Sequence, residues 1–154
     1  MNSPRQNSGA PDVVVKSITV QCPQALAFRV WTTDIDLWWP KTHGLSGDSN
    51  TEIHLENRVG GRFYERTSGG EEKTWGEILQ WEPPHHLSFT WYLGTDAQNP
   101  TVVDVRFHAE DANRTRVDLE HRGPELIGDL WSSRAVRFIA GWNAVFESYM
   151  KFAG

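Results

Sequence analysis

Cysteine is almost absent from the sequence, and Cys22 alone cannot form a disulfide within the chain. Long apolar runs are also lacking, since none approaches the ~18 residues that a helix needs to cross a bilayer. Basic charge is scarce as well: 15 Lys and Arg face 20 Asp and Glu, for a formal net charge of −5. The lack of a long apolar run predicts that the chain is not a membrane protein. Because non-specific nucleic-acid binding requires a basic surface, the sequence also predicts that the chain does not bind nucleic acid.

The N-terminal segment differs in composition from the rest of the chain. Residues 1–11 are polar and contain two prolines, which predicts a disordered tail. The segment has no apolar stretch of the kind found in signal peptides, so we expect a cytoplasmic protein. Residues 12–154 have the length of one domain, and a chain of this length can bury a core without a metal or a disulfide.

Aromatic residues are abundant, with eight Trp and seven Phe, and the first of them fall in two short helical segments. The β-branched run over 12–21 predicts a strand before them. Pro23 suits the first turn of a helix, and Asp34 is a good N-cap for a second short helix that ends at Pro40. The Gly- and Ser-rich stretch over 41–50 predicts a loop.

Six further segments carry strand signals, and they read EIHLE, RFYERT, KTWGEILQW, HLSFTWYL, VVDVRFHAE and TRVDLEH. The turn residues over 111–113 predict a hairpin between the last two segments. In the last three strands, alternation with a period of two creates an apolar face, with residues such as Phe89 and Val105, and a charged face, with residues such as Asp104. The sequence therefore predicts an antiparallel sheet with one covered side and one solvated side.

The C-terminal segment has the pattern of a cover for that sheet. From Asp129 onward, apolar residues recur at spacings of three and four, as expected of an amphipathic helix of roughly twenty residues. The stripe comprises Trp131, Ala135, Phe138, Trp142, Val145 and Tyr149, and it is widened by Ile139, Phe146 and Met150. Gly141 lies inside this helix at a cost of about 1 kcal/mol against Ala, which indicates a close approach of the helix to the sheet or to a ligand.

Five stretches follow one another between residues 13 and 152, namely ALAFRVWTTDIDLWWP, RVGGRFYE, WGEILQWEPPHHLSFTW, TRVDLEHRG and GWNAVFESYM. With the order of elements, they resemble the START-like helix-grip superfamily, also called SRPBCC, in the branch related to the C-terminal domain of the activator of the heat-shock chaperone ATPase. The resemblance implies an α+β fold. A curved antiparallel sheet of six to seven strands would wrap around the long C-terminal helix, with two short helices after strand 1 and a cavity inside.

Members of that superfamily bind lipids, hormones or polyketides in the cavity, and some catalyse cyclisation or hydrolysis there. The resemblance therefore implies binding of an apolar or aromatic small molecule, with a cavity-based polyketide cyclase or hydrolase as an alternative. Chaperone-activating members act through protein contacts and carry an additional N-terminal domain, for which this chain has no room. A co-chaperone-like or homodimeric protein-contact role is the remaining alternative, with an exposed turn at Trp38, Trp39 and Pro40 as its anchor.

Large side chains on the covered face either line such a cavity or fill the core. The candidates for ligand contact are Trp39, Phe63, Phe89, Trp91, Trp142 and Phe146. His121 ends a strand on the same face, and three roles are open to it. It orients a polar group of the ligand, it acts as a general acid or base, or it hydrogen-bonds to the backbone at the strand end. No second catalytic partner can be named, so no residue is assigned as catalytic.

Histidine and carboxylate residues do not form a metal motif in this sequence. His54 shares a strand face with Glu52 and Glu56, a pattern that is more typical of a solvated sheet face than of a metal site. The adjacent His85 and His86 would point to opposite faces of a strand. We therefore expect no metal and no cofactor.

Overall fold

The structure, a computed structural model, describes residues 12–92 and 98–154, and the predicted disordered tail lies outside these ranges. Strand β1 spans Val13–Val20. It is followed by helix α1, Gln24–Trp31, and by a short 3-10 helix, Ile35–Leu37. These elements confirm the predicted first strand and the two short helices after it.

Six further strands complete one antiparallel sheet. They are β2 (Glu52–Leu55), β3 (Arg62–Arg66), β4 (Glu72–Glu82), β5 (His86–Trp91), β6 (Thr101–Asp111) and β7 (Arg114–Arg122). The strand order is β1-β7-β6-β5-β4-β3-β2, so consecutive strands from β2 to β7 are neighbours and β1 closes one edge beside β7. The sheet curls into a half-barrel. The predicted α+β class and the curved sheet are confirmed, as is the hairpin that joins β6 to β7.

The C-terminal helix lies in the curve of this sheet. Helix α2, Pro124–Ile127, was not predicted and leads into helix α3, Leu130–Ala153. The 24 residues of α3 are about 36 Å long at 1.5 Å per residue. Its buried residues are Trp131, Ala135, Phe138, Trp142, Val145, Phe146 and Tyr149. The predicted stripe therefore faces the sheet, and the helix-grip arrangement is confirmed.

Two residues at the margins of that stripe were wrongly predicted to be covered. Ile139 and Met150 are each 37% exposed, because the curved sheet covers only the arc of α3 that faces it directly. None of the helices in the described part of the chain has both the length and the apolar character of a membrane span.

Strand β4 departs from simple alternation, and this places a tryptophan in the interior. Trp75 is left out of the pairing with β3, while its neighbours Thr74 and Gly76 pair with consecutive residues of that strand. Such a bulge bends the strand and redirects a side chain. A Cβ atom at Gly76 would lie 1.8 Å from the carbonyl oxygen of Thr90, so only glycine fits beside the bulge. Trp75 is fully buried as a result.

The outer face of the sheet is less solvated than its charge pattern predicts. Asp104 points to this face, yet it is only 4% exposed. It is covered by His86, whose Nε2 lies 2.8 Å from the carboxylate, and by Arg122, which donates a hydrogen bond to it. Burial alone would raise the pKa of Asp104, but the hydrogen bonds from Arg122 and His86 outweigh it and hold this pKa below its ordinary value.

Candidate ligand-binding site

A cavity of about 150 Å³ lies between α3 and the loop that follows Trp39. The lining residues are Trp39, His43, Gly44, Trp91, Arg137, Phe138, Gly141, Trp142 and Val145. Arg137 is exposed, and His43 and Gly141 are half-buried, so the cavity reaches the surface beside these three residues. The deeper wall consists of buried aromatic and aliphatic side chains. The described part of the site is therefore a small apolar cavity with its polar groups near the mouth.

Only some of the residues predicted for ligand contact line this cavity. Trp39, Trp91 and Trp142 do so. Phe63, Phe89, Phe146 and His121 are fully buried elsewhere in the core and are not among the lining residues. The predicted set therefore divides into three tryptophans that line the cavity and four residues that belong to the packed core.

Trp39 is the centre of the aromatic wall. Its ring lies 5.3–6.4 Å from six others, which are those of Trp31, Trp38, Phe63, Trp75, Trp91 and Trp142. Aromatic pairs at such distances stabilise a fold beyond their buried area. The Trp39 indole N–H also donates to the carbonyl oxygen of His43 at 2.9 Å. One side chain therefore forms a wall of the cavity and positions the loop at its mouth.

The Trp38-Trp39-Pro40 segment is not the exposed turn that the protein-contact hypothesis requires. Trp38 is 5% exposed and Trp39 is 3% exposed. The Trp38 indole N–H donates to the Val30 carbonyl oxygen at 2.7 Å, and the Trp38 carbonyl oxygen accepts a hydrogen bond from Ser148 of α3. Both indoles are committed to the core, so this premise of the protein-contact hypothesis is wrong.

His121 forms part of a buried hydrogen-bonded chain that joins two tryptophans of the wall. The Trp142 indole N–H donates to His121 Nδ1 at 2.9 Å. His121 Nε2 lies 2.6 Å from Thr101 Oγ1, and Thr101 Oγ1 donates to the Trp91 carbonyl oxygen at 3.4 Å. An indole nitrogen is only a donor, so Nδ1 accepts, and the ring proton is on Nε2, which donates to Thr101.

This arrangement holds His121 in its neutral form. Burial lowers the pKa of His121 from 6.5 to about 3, since a charged imidazolium would lose its hydration without gaining a carboxylate partner. Both ring nitrogens are occupied by protein groups. The geometry therefore favours a positioning role toward Trp142 over proton exchange with a ligand.

A buried carboxylate supports the other side of the mouth. Glu65 is fully buried on β3. Its Oε1 accepts hydrogen bonds from the Leu45 backbone N–H at 2.5 Å and from the Trp75 indole at 2.9 Å. Its Oε2 accepts from the hydroxyls of Ser46 at 2.6 Å and Thr51 at 3.0 Å. Burial alone would raise the pKa of Glu65, but these four donors outweigh it and keep the pKa below its ordinary value.

Replacing Glu65 by glutamine is expected to loosen this loop. The substitution removes the charge that four donors share, and losing charge-assisted hydrogen bonds at a buried group costs about 1–3 kcal/mol. Urea unfolding measures that loss, and faster exchange of the Leu45 amide hydrogen localises it to the loop. Glu77→Gln is the matched control, because Glu77 is exposed on the neighbouring strand. Equal effects of the two substitutions would contradict the anchoring role of Glu65.

Six lining residues were not predicted as ligand contacts, namely His43, Gly44, Arg137, Phe138, Gly141 and Val145. Three of them carried a signal in the sequence: Phe138 and Val145 belong to the apolar stripe, and Gly141 indicated a close approach. A Cβ atom at Gly141 would lie 3.8 Å from His43 Cδ2, so the missing side chain keeps the mouth open. His43 and Arg137 had no signal, because a loop and an exposed helix position do not reveal what they face.

A curled antiparallel sheet closed by a long helix, with a small apolar cavity beside that helix, defines a helix-grip protein. The chain belongs to the family described as Activator of Hsp90 ATPase homolog 1-like protein, whose model matches residues 21–151. This confirms the resemblance inferred from the sequence motifs. No curated protein matches the chain.

Solved structures with this fold include two of moderate sequence identity. The anthrahydroquino-Gama-pyrone synthase Txn09, solved in complex with SUM, is 30% identical over 92% of this chain and 88% of its own, with a TM-score of 0.57. The self-sacrificing resistance protein CalC from Micromonospora echinospora is 28% identical over 92% and 93%, with a TM-score of 0.68. CalU16 from the same organism, at 20% identity over 92% and 76% and a TM-score of 0.63, shares the fold.

Proposed function

We propose that this protein binds a small apolar or aromatic molecule in the cavity that α3 forms with Trp91 of the sheet and with the loop after Trp39. The observation that carries the proposal is the cavity wall, in which the rings of Trp39, Trp91, Phe138 and Trp142 surround about 150 Å³. Apolar cavities with a few polar groups near the opening are the usual form of small-molecule sites. The solved complex of the similar synthase Txn09 with SUM supports a ligand-binding use of this fold.

The size of the cavity limits what it encloses. An apolar cavity of about 150 Å³ is known to hold one benzene ring. Enclosing one ring removes roughly 150 Å² of apolar ligand surface from water, which contributes about 4 kcal/mol at about 25 cal/mol/Å². Association costs of at least about 4 kcal/mol oppose this gain. A plain hydrocarbon ring is therefore expected to bind weakly, and tight binding requires a polar contact at the mouth.

A cavity-based enzyme is the alternative that the similarity to a synthase suggests. Of the described residues that line the cavity, His43 and Arg137 are the ones with titratable side chains. The His43 ring is hydrogen-bonded to the Thr42 hydroxyl, and no hydrogen bond between a lining residue and a carboxylate side chain is seen in the described ranges. The described lining residues therefore contain no acid–base pair that faces the cavity, and binding is the function that the geometry supports best.

Replacing Gly141 by leucine is expected to fill the mouth and abolish binding. Toluene titrated into the wild-type protein should shift the indole N–H NMR signals of Trp39, Trp91 and Trp142, because a bound ring changes their local magnetic environment. In the Gly141→Leu variant these shifts should fall at least tenfold at the same toluene concentration. The variant should remain folded, since removing a helix-interior glycine relieves up to about 1 kcal/mol of helix propensity cost.

Ala140→Leu is the matched control, because residue 140 lies on the exposed side of the same helix turn. It adds similar volume outside the cavity and should leave the toluene response unchanged. Wild-type signals that do not respond to toluene, or responses that persist in Gly141→Leu, would show that the cavity is not the binding site.

A further inference from the structure

Within the described residues, the mouth of the cavity carries a positive charge, that of Arg137, without an ion-pair partner. Arg137 lines the cavity and is exposed. Of the ten arginines in the described ranges, seven form ion pairs, and Arg137 is one of the three that do not. Among the described residues, Arg134, one turn earlier on the same side of α3, is also without an ion pair, and its buried Nε atom has no hydrogen-bond partner there. Arg134 and Arg137 together form a cationic edge beside the cavity, which contrasts with the acidic net charge of the chain.

The described lining residues include no Asp and no Glu. Glu65 lies behind the rim, where its Oε1 would be 2.8 Å from a Cβ atom at Gly44. Its two oxygens already accept four hydrogen bonds from the loop and from Trp75, so their acceptor positions are occupied by protein groups. An anionic group at the mouth would therefore meet the Arg137 guanidinium, which forms no ion pair within residues 12–92 and 98–154.

We propose that the ligand is an aromatic carboxylate, with one ring between Trp39, Trp91 and Trp142 and the carboxylate at the mouth against Arg137. The inference rests on the proposed binding function and names the ligand class. A guanidinium presents paired N–H donors that match a carboxylate in a bidentate geometry. It supplies the polar contact that a single enclosed ring lacks. A short flexible linker allows the ring to be enclosed while the charged group remains near solvent.

The test compares two ligands of nearly identical shape that differ in charge. We expect 3-phenylpropionate to bind the wild-type protein about tenfold more tightly than 3-phenylpropionamide, because only the carboxylate adds ionic attraction and a second parallel acceptor to its hydrogen bonds with Arg137. Calorimetry or NMR titration gives both dissociation constants. The preference should decrease as salt is added, since salt screens charges near the surface.

Arg137→Gln should remove the preference by weakening acid binding about tenfold while leaving amide binding unchanged. Arg106→Gln is the matched control, because Arg106 is an exposed arginine without an ion pair in the described ranges and points to the outer face of the sheet. It lowers the net charge by the same amount and should preserve the preference.

The outcomes separate this inference from the function on which it rests. Equal affinities for acid and amide in the wild type, or a preference that survives Arg137→Gln, would overturn the carboxylate assignment and leave the cavity function standing. A preference that disappears equally in Arg106→Gln would reduce it to a net-charge effect and also overturn the assignment. Binding of neither compound would overturn the proposed function itself, and the carboxylate assignment with it.

Discussion

Replacing Trp39 by alanine is expected to lower the free energy of unfolding by about 3–5 kcal/mol, the range measured for large-to-small changes of buried aromatic residues. The ring is 3% exposed and packs against six others, so its removal leaves a void that the surrounding rings cannot fill by small shifts. The His43 carbonyl oxygen loses its donor as well. Urea unfolding followed by circular dichroism measures the effect.

Trp81→Ala is the control for loss of a tryptophan as such. Trp81 is half-buried and packs against the ring of Phe28 at 5.2 Å, so its replacement should cost clearly less than that of Trp39. Trp39→Phe keeps a ring in place and should fall between the two. A Trp39→Ala variant no less stable than Trp81→Ala would contradict the central position of Trp39 in the core.

The fold was predictable because its signals are local and repeated. The period-two strands and the stripe on α3 each require only that one side be apolar, and the stripe from Trp131 to Tyr149 is buried as predicted. The same patterns state which face a residue occupies but not how deep it lies. Phe89 and Trp91 share one face of β5, yet only Trp91 reaches the cavity.

Other parts of the site depend on long-range contacts that no local pattern records. Trp75 enters the aromatic wall through a bulge, which breaks the alternation that assigns faces. Glu65 is an acidic residue in a strand, and its burial is explained by hydrogen bonds that the loop over 45–51 donates to it. The strand sequence alone does not show these donors. Asp104 follows the solvated pattern but is covered by the long side chains of its neighbours. Alternation cannot anticipate such covering.

Acidification is expected to destabilise the fold through His121 before the buried carboxylates contribute. Below pH 6.5 an unfolded chain protonates this histidine, whereas the folded chain does so only near pH 3. The unfolded state therefore binds more protons within this window, and stability falls as the pH falls. The loss approaches about 1.4 kcal/mol per pH unit once the pH is well below 6.5. Urea unfolding at several pH values between 6.5 and 4.5 measures this slope.

The pH range from 6.5 to 4.5 separates the effect of His121 on stability from the effects of Glu65 and Asp104. Their pKa values are lowered in the fold from ordinary values of 4.5 and 3.8, so their stabilisation is nearly complete one pH unit above those values and is lost mainly below them. His121→Gln should flatten the slope between pH 6.5 and 4.5, whatever its cost at neutral pH. An unchanged slope in His121→Gln would mean that the buried ring does not titrate as proposed.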